Sequence, residues 1–128
     1  MIVAGVGCKR GTAAPDVEAA IRTALTRANV VAGELDAIAT IASKHTEAGI
    51  EATAAKLGVA LLLVSEAELH AAGDRVATRS ERVQALVGVP SVAEAAALAA
   101  AGPSARLIAV RLVVGSATYA LAASGPAP

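Results

Sequence analysis

Aromatic residues are almost absent: there is no Trp and no Phe, and Tyr119 stands alone. Without aromatic faces the chain offers no platform on which nucleobases could stack. Neither sign of charge is in excess, since 11 Lys and Arg offset 11 Asp and Glu, so no overall field draws in a polyanion. Nucleic acid is therefore not an expected partner. Cys8 is the single cysteine and has no internal partner for a disulfide; this fits a reducing compartment, and a cytoplasmic protein is expected. His45 and His70 lie far from Cys8 and from each other, a spacing that gives no metal signature, and no metal is expected. Long apolar runs are missing as well. The uncharged stretches are too short to cross a bilayer. The opening Met1–Cys8 lacks the basic segment and the apolar length of a secretory signal, which makes it a buried first strand. No membrane partner is expected.

What the chain does contain is enough apolar material for one core. Its 128 residues are 55% hydrophobic and 17% charged, which excludes disorder and fits a single soluble domain over residues 1–123, with 124–128 as a flexible tail. Runs rich in β-formers alternate with helical patterns, the mark of an α/β fold whose sheet is mostly parallel. A first strand at Ile2–Val6 leads to a helix capped by Thr12, with Pro15 tolerated in its first turn and Asn29 closing it. A second strand at Ala37–Ile41 precedes a helix from Thr46 to Leu57, stopped by Gly58. A third strand at Ala60–Val64 is followed by Ser65 and Glu68 at capping-box spacing, opening a short helix that ends near Gly73. From Asp74 to Pro90 the pattern is less regular and reads as a loop with a short helix around Arg82–Leu86. Ser91 and Glu94 repeat the capping-box spacing before an alanine-rich helix that stops at Gly102-Pro103. Strands at Arg106–Leu112 and Thr118–Ala122, joined through Gly115-Ser116, form an antiparallel hairpin. The result is a mixed, mostly parallel sheet of five strands.

In such sheets ligands bind beyond the carboxyl ends of the strands, where loops and helix amino termini converge. After the first strand comes Gly7-Cys8-Lys9-Arg10-Gly11-Thr12, which joins flexible backbone, two cations and a helix start. After the second comes Lys44-His45. If these strands are neighbours, basic side chains surround one crevice suited to an anion. The competing reading is that Lys9, Arg10 and Lys44 are ordinary surface charges and the glycines serve the turn. Gly5, Gly7 and Gly11 miss the dinucleotide spacing by one residue, and no acidic residue ends the second strand to hold a ribose, Asp36 being at its other end. The loop also lacks the Lys-Ser/Thr pair of a nucleoside-triphosphate loop. Cys8, beside two cations and a helix start, is a candidate nucleophile, against the plainer reading of a packing residue. His45 is a candidate general base, against that of a solvated loop histidine. His70 at the end of a helix, and the capping glutamates Glu68 and Glu94, are explained by their helices, although Glu94 can face the crevice.

Three segments taken together, Gly5-Val6-Gly7-Cys8-Lys9-Arg10-Gly11-Thr12, Ile41 with Lys44, Glu47, Gly49 and Ile50, and Ser91-Val92-Ala93-Glu94-Ala95-Ala96-Ala97-Leu98, resemble the cobalamin-biosynthesis family of CobE and the CbiG carboxy-terminal domain. The resemblance implies a three-layer α/β/α sandwich and a place at the corrin-ring stage of the pathway. It places the family's basic residue near the end of strand four at Arg111. Longer relatives carry an additional amino-terminal region and are cobalt-precorrin-5A hydrolases, which open a lactone on the macrocycle and release acetaldehyde. This chain is expected to be the stand-alone form of the aerobic pathway, for which the family fixes no definite reaction. Three functions follow as expectations. The first is binding or delivery of a polycarboxylated precorrin or corrin acid by Gly7, Cys8, Lys9, Arg10, Gly11, Thr12, Lys44, His45, Ser91 and Glu94. The second is a hydrolase acting on a precorrin lactone, with His45 or Glu47 as acid or base and Cys8 as nucleophile. The third is docking on another enzyme of the pathway. No cofactor is expected for any of them.

Overall fold

The computed structural model describes residues 1–8, 11–42, 48–76, 91–115 and 117–124, with Cys8 represented by its backbone. Its sheet has five strands: β1 (Ile2–Cys8), β2 (Ala37–Ile41), β3 (Ala60–Val64), β4 (Arg106–Val114) and β5 (Ala117–Ala123). They lie in the order β3-β2-β1-β5-β4. β1 pairs in parallel with β2 and β2 with β3, whereas β5 runs antiparallel to both β1 and β4. Only β5 is reversed. The helices are α1 (Ala14–Arg27), α2 (Ala48–Leu57), α3 (Glu66–Ala72) and α4 (Val92–Ala101), with 3-10 turns at Ala32–Glu34 and Gly73–Arg75. The expected α/β class and mixed sheet are what the chain adopts.

The order of the strands dictates the layers. From β1 the chain steps outward to β2 and β3 through α1 and α2, then crosses back through α3 and α4 to β4 on the far edge. Because parallel crossovers are right-handed, opposite directions of winding put the two pairs of helices on opposite faces. The core is divided accordingly. Ala4, Val6, Ile38, Tyr119 and Leu121 pack with Val17, Ile21 and Leu25 of α1 and Ile50 of α2; Val3, Ala37, Ala39, Val64 and Ala122 face Leu69 of α3 and Ala97 and Leu98 of α4. Burial on both faces explains why β2 reads as a nearly continuous apolar run.

Several element ends follow from local chemistry. α1 closes through Asn29 at φ 56, with Val30 N–H donating to Leu25 O and Asn29 N–H to Thr26 O; these two bonds satisfy the last carbonyls of the helix. Gly58, at φ 69, does the same for α2. The box at α3 is complete, since Ser65 Oγ accepts from Glu68 N and Glu68 Oε1 from Ser65 N. Two expectations need correction. The N-cap of α1 is Ala13, without a side-chain bond, rather than Thr12; Pro15 at the second helical position has no N–H for a cap to bind. The box at α4 is half formed: Ser91 Oγ accepts from Glu94 N, but the Glu94 carboxylate points to the sheet and accepts from Arg111 N at 2.8 Å. β1, β4 and β5 run one or two residues beyond the expected limits. The ladder continues to Ser124, whose N–H donates to Met1 O at 2.9 Å. Residues 125–128, Thr46 and the helix expected near Arg82–Leu86 lie outside the described residues. Among the described residues no helix is long and apolar enough to cross a membrane.

Tyr119 is fully buried, and its hydroxyl makes no bond of ordinary hydrogen-bond geometry among the described residues, although Thr23 of α1 is near enough to interact with it. Burial raises its pKa. Helices α1 and α2 are joined at the surface by Glu18, which accepts from Lys56 at 2.8 Å and from Arg22 at 2.7 Å.

Two predictions follow from this packing. A Cβ at Gly5 would lie 1.9 Å from the carbonyl oxygen of Ala93 and 2.7 Å from the nitrogen of Ala97, both backbone atoms that cannot rotate away. Gly5→Ala should therefore destabilise the fold by about 3 kcal/mol or more in urea titration, as severe overpacking does. Gly33→Ala, where a Cβ meets nothing within 4 Å, should leave the midpoint nearly unchanged. The bonds from Lys56 and then Arg22 hold the Glu18 carboxyl below its ordinary value of 4.5. A depressed carboxyl contributes stability above its unfolded pKa and loses it as pH falls through its folded pKa. Glu18→Gln should thus melt below the wild type at neutral pH, and the difference should close on acidification through that range.

Candidate functional site

The four strands that share one direction end at a common edge, with Cys8, Ile41, Val64 and Val114 as their last residues, and β5 starts there at Ala117. The helices following β1, β2 and β3 begin at this edge, and so does α4, which runs back to the start of β4. Here lie the described parts of the segments from which a ligand site was expected.

The end of β1 is built from small residues and bound backbone. Thr40 Oγ1 of β2 donates to Val6 O at 2.9 Å, and Thr118 Oγ1 of β5 donates to Gly7 O at 3.2 Å. Two carbonyls near the end of the strand are therefore engaged by hydroxyls, one from each neighbour, which reduces the negative potential they would otherwise present. Gly11 follows in the left-handed region at φ 83, a conformation that favours glycine, and a Cβ there would meet open space. Thr12 is buried. Its carbonyl meets the start of α2 so closely that a Cβ on Gly49 would come within 2.3 Å of it. Thr53 adds a second tie by donating to Ala14 O at 3.2 Å and to Gly49 O at 2.8 Å. The loop leaving β1 and the helix entered from β2 are thus packed backbone to backbone.

Of the residues expected at the site, Gly7, the Cys8 backbone, Gly11, Thr12, Ser91 and Glu94 are on this edge or just beneath it. Lys9, Arg10, Lys44, His45 and Glu47 lie outside the described residues. Ser91 is buried as the N-cap of α4, and Glu94 is fully buried one turn on. Sequence reasoning missed Thr118 and Val113 as part of this edge, and reached Arg111 only through the family resemblance. Alternation in the final hairpin signals which face Thr118 and Val113 occupy, but the register that brings Thr118 beside Gly7 is a property of pairing across 111 positions. Among the described residues no three His, Cys, Asp or Glu cluster as a metal site would require.

Comparison with known proteins agrees with the architecture. A family model described as cobalamin synthesis G C-terminus matches residues 2–122. Protein CobE of Sinorhizobium sp is 40% identical over 126 residues, a match that takes in 98% of this chain and 80% of that protein. The crystal structure of CobE, a protein from the cobalamin (vitamin B12) biosynthetic pathway, superposes with a TM-score of 0.92 at 32% identity, covering 100% of this chain and 93% of the other. The cobalamin biosynthesis protein chiG from Agrobacterium tumefaciens gives 0.79 at 40% identity, over 98% of this chain and 100% of its own. With a Sulfolobus solfataricus homolog of cobalamin biosynthesis protein G the TM-score is 0.70 at 23% identity, a likeness of fold that spans 94% of this chain and 36% of that one. The chain accordingly belongs to the CobE and CbiG carboxy-terminal family and is a protein of cobalamin biosynthesis.

Proposed function

We propose that the chain binds a polycarboxylated precorrin or corrin intermediate at the carboxyl edge of its sheet and delivers it within the pathway. The observation that carries this reading is the contact between Thr12 and Gly49. Lys9 and Arg10 precede one side of that contact by a few residues, and Lys44 precedes the other. Both cationic segments therefore lie within about five residues of that contact along the chain. A corrin precursor is a broad apolar ring fringed by acetate and propionate groups, so its receptor needs side-chain-poor surface under the ring and cations around the rim. Gly7 and Gly11 supply the first requirement and Lys9, Arg10 and Lys44 the second. Charge-assisted hydrogen bonds from these groups contribute on the order of 1 to 3 kcal/mol each when partly desolvated. The engaged carbonyls of Val6 and Gly7 reduce repulsion of a carboxylate approaching the end of β1.

Titration of the purified protein with hydrogenobyrinic acid at low salt should produce a saturable change in corrin absorbance. Affinity should fall as ionic strength rises, because exposed charge contacts are screened, and should drop about tenfold in Lys44→Ala, the loss of one such contact. Absence of binding at low salt would rule the reading out. Consumption of a lactone-bearing precorrin at substoichiometric protein, lost in His45→Ala, would replace it with a hydrolytic one.

A further inference from the structure

β4 does not keep a constant register against β5. Ala109 lies opposite Leu121 and Leu112 opposite Tyr119, so Val110 and Arg111 together face the single residue Ala120. Such a bulge takes an amide out of the ladder. That of Arg111 is met from outside the sheet, by Glu94 Oε2 at 2.8 Å. Glu94 is completely buried on a helix otherwise lined with alanine and leucine. Its helix uses only the backbone amide of residue 94 for capping, and burying a carboxylate is costly unless bonds compensate it. The bond to the Arg111 amide offsets part of that cost.

What Glu94 holds is the backbone of a cation with no partner of its own among the described residues. Arg22 and Lys56 share Glu18, and Arg75 donates to the carbonyls of Gly102 and Ala105. Arg27 and Arg106 are at the opposite edge, ending α1 and starting β4. The amide of the half-buried Arg111 is held by Glu94, and no side-chain bond or ion pair engages its guanidinium among the described residues. Alternation fixes its face: Leu112 and Val114 pack in the α1 cluster, so Arg111 and Val113 belong to the α4 face. Thr118, between Ala117 and Tyr119 of the α1 cluster, and Gly7, next to Val6 of that cluster, share this face. Gly7 pairs with Thr118 and Thr118 with Val113, which sets the three in one row across neighbouring strands. The row lies one pleat beyond Gly5 and Ala120, where α4 sits. Glycine, threonine and a valine that is 58% exposed make a shallow shelf. It spans two strand spacings, about 10 Å, with Arg111 at its outer corner.

We propose that this shelf is the floor of the ligand site and that Arg111 binds a peripheral carboxylate of a flat macrocycle lying on it, with Glu94 as the positioning residue that fixes the bulge. The inference rests on the corrin-binding reading above. Hydrogenobyrinic acid is the probe. Arg111→Ala should weaken it about tenfold, the loss of one charge-assisted contact, and Val113→Glu, which sets a like charge on the shelf at an exposed position, should weaken it at least as much. Glu94→Leu should match Arg111→Ala, the double variant should be no weaker than Arg111→Ala alone, and Glu94→Gln, whose amide oxygen can accept the same bond, should bind nearly as the wild type does. Binding by the wild type with no loss in Arg111→Ala and Val113→Glu overturns this inference and leaves the corrin-binding reading intact. No binding by the wild type removes both. Full affinity in a folded Glu94→Leu removes the positioning role, and if that variant does not fold, the Arg111 and Val113 variants decide the site.

Discussion

The contact of α4 with β1 at Gly5 sets the geometry of the carboxyl edge. With no side chain at this position, the helix backbone at Ala93 and Ala97 lies directly on the strand. That height determines what the rest of the helix can reach. Glu94, next to Ala93, is close enough to β4 to take the amide of Arg111, and Ser91 is sealed against the sheet as the cap. A helix raised by a methyl group would leave a buried carboxylate short of its donor. The alanines of α4 serve the same end, since they bury surface with no side-chain entropy to lose and allow close approach.

Polar groups are employed differently at the two ends of the sheet. At the amino end they close the structure: Asp36 Oδ2 accepts from Ile2 N at 2.7 Å, Met1 and Ser124 exchange backbone bonds, and Arg75 holds the carbonyls of Gly102 and Ala105. These interactions join chain ends and loops to one another. At the carboxyl end, Thr40 and Thr118 donate to the carbonyls of Val6 and Gly7 in β1, while Glu94 accepts from the bulge in β4. Those interactions engage acceptors near the end of β1 and hold the backbone amide of an arginine on β4. The asymmetry agrees with the general rule that α/β sheets bind ligands beyond the carboxyl ends of their strands.

Most of the fold was legible because its signals are local. Asn29, Gly58 and Gly102 mark helix ends by conformations that their neighbours in sequence announce, and Ser65 with Glu68 marks a start. Thr12 misled because a proline that the first turn tolerates also removes the amide that a cap at residue 12 would bind, and the helix starts from Ala13. Glu94 shows the limit of such reasoning more clearly. Its spacing from Ser91 is that of a capping box, and the amide half of the box forms, but burial redirected the carboxylate to another strand. The chain alone does not show that redirection, since it depends on a bulge created by the pairing of β4 with β5. The family was legible because the segments that carry it, the opening loop and the α4 run, are contiguous in sequence.

A chain with 11 basic and 11 acidic residues exerts little attraction at a distance. At physiological ionic strength, exposed charges act over a range of about 8 Å. Recognition of a polyanionic ring by such a protein must therefore be a matter of contact, and the placement of cations matters more than their number. On the proposed reading, the cations come from separate segments of the chain: Lys9 and Arg10, Lys44, and Arg111 on the β4 bulge. Carboxylates distributed around a macrocycle are better matched by cations that are also distributed than by one dense cluster, which would repel itself and leave the far carboxylates unmet. A bulge held by a buried glutamate is a means of setting one such cation on an edge strand, where an uninterrupted ladder would dictate its direction by alternation alone.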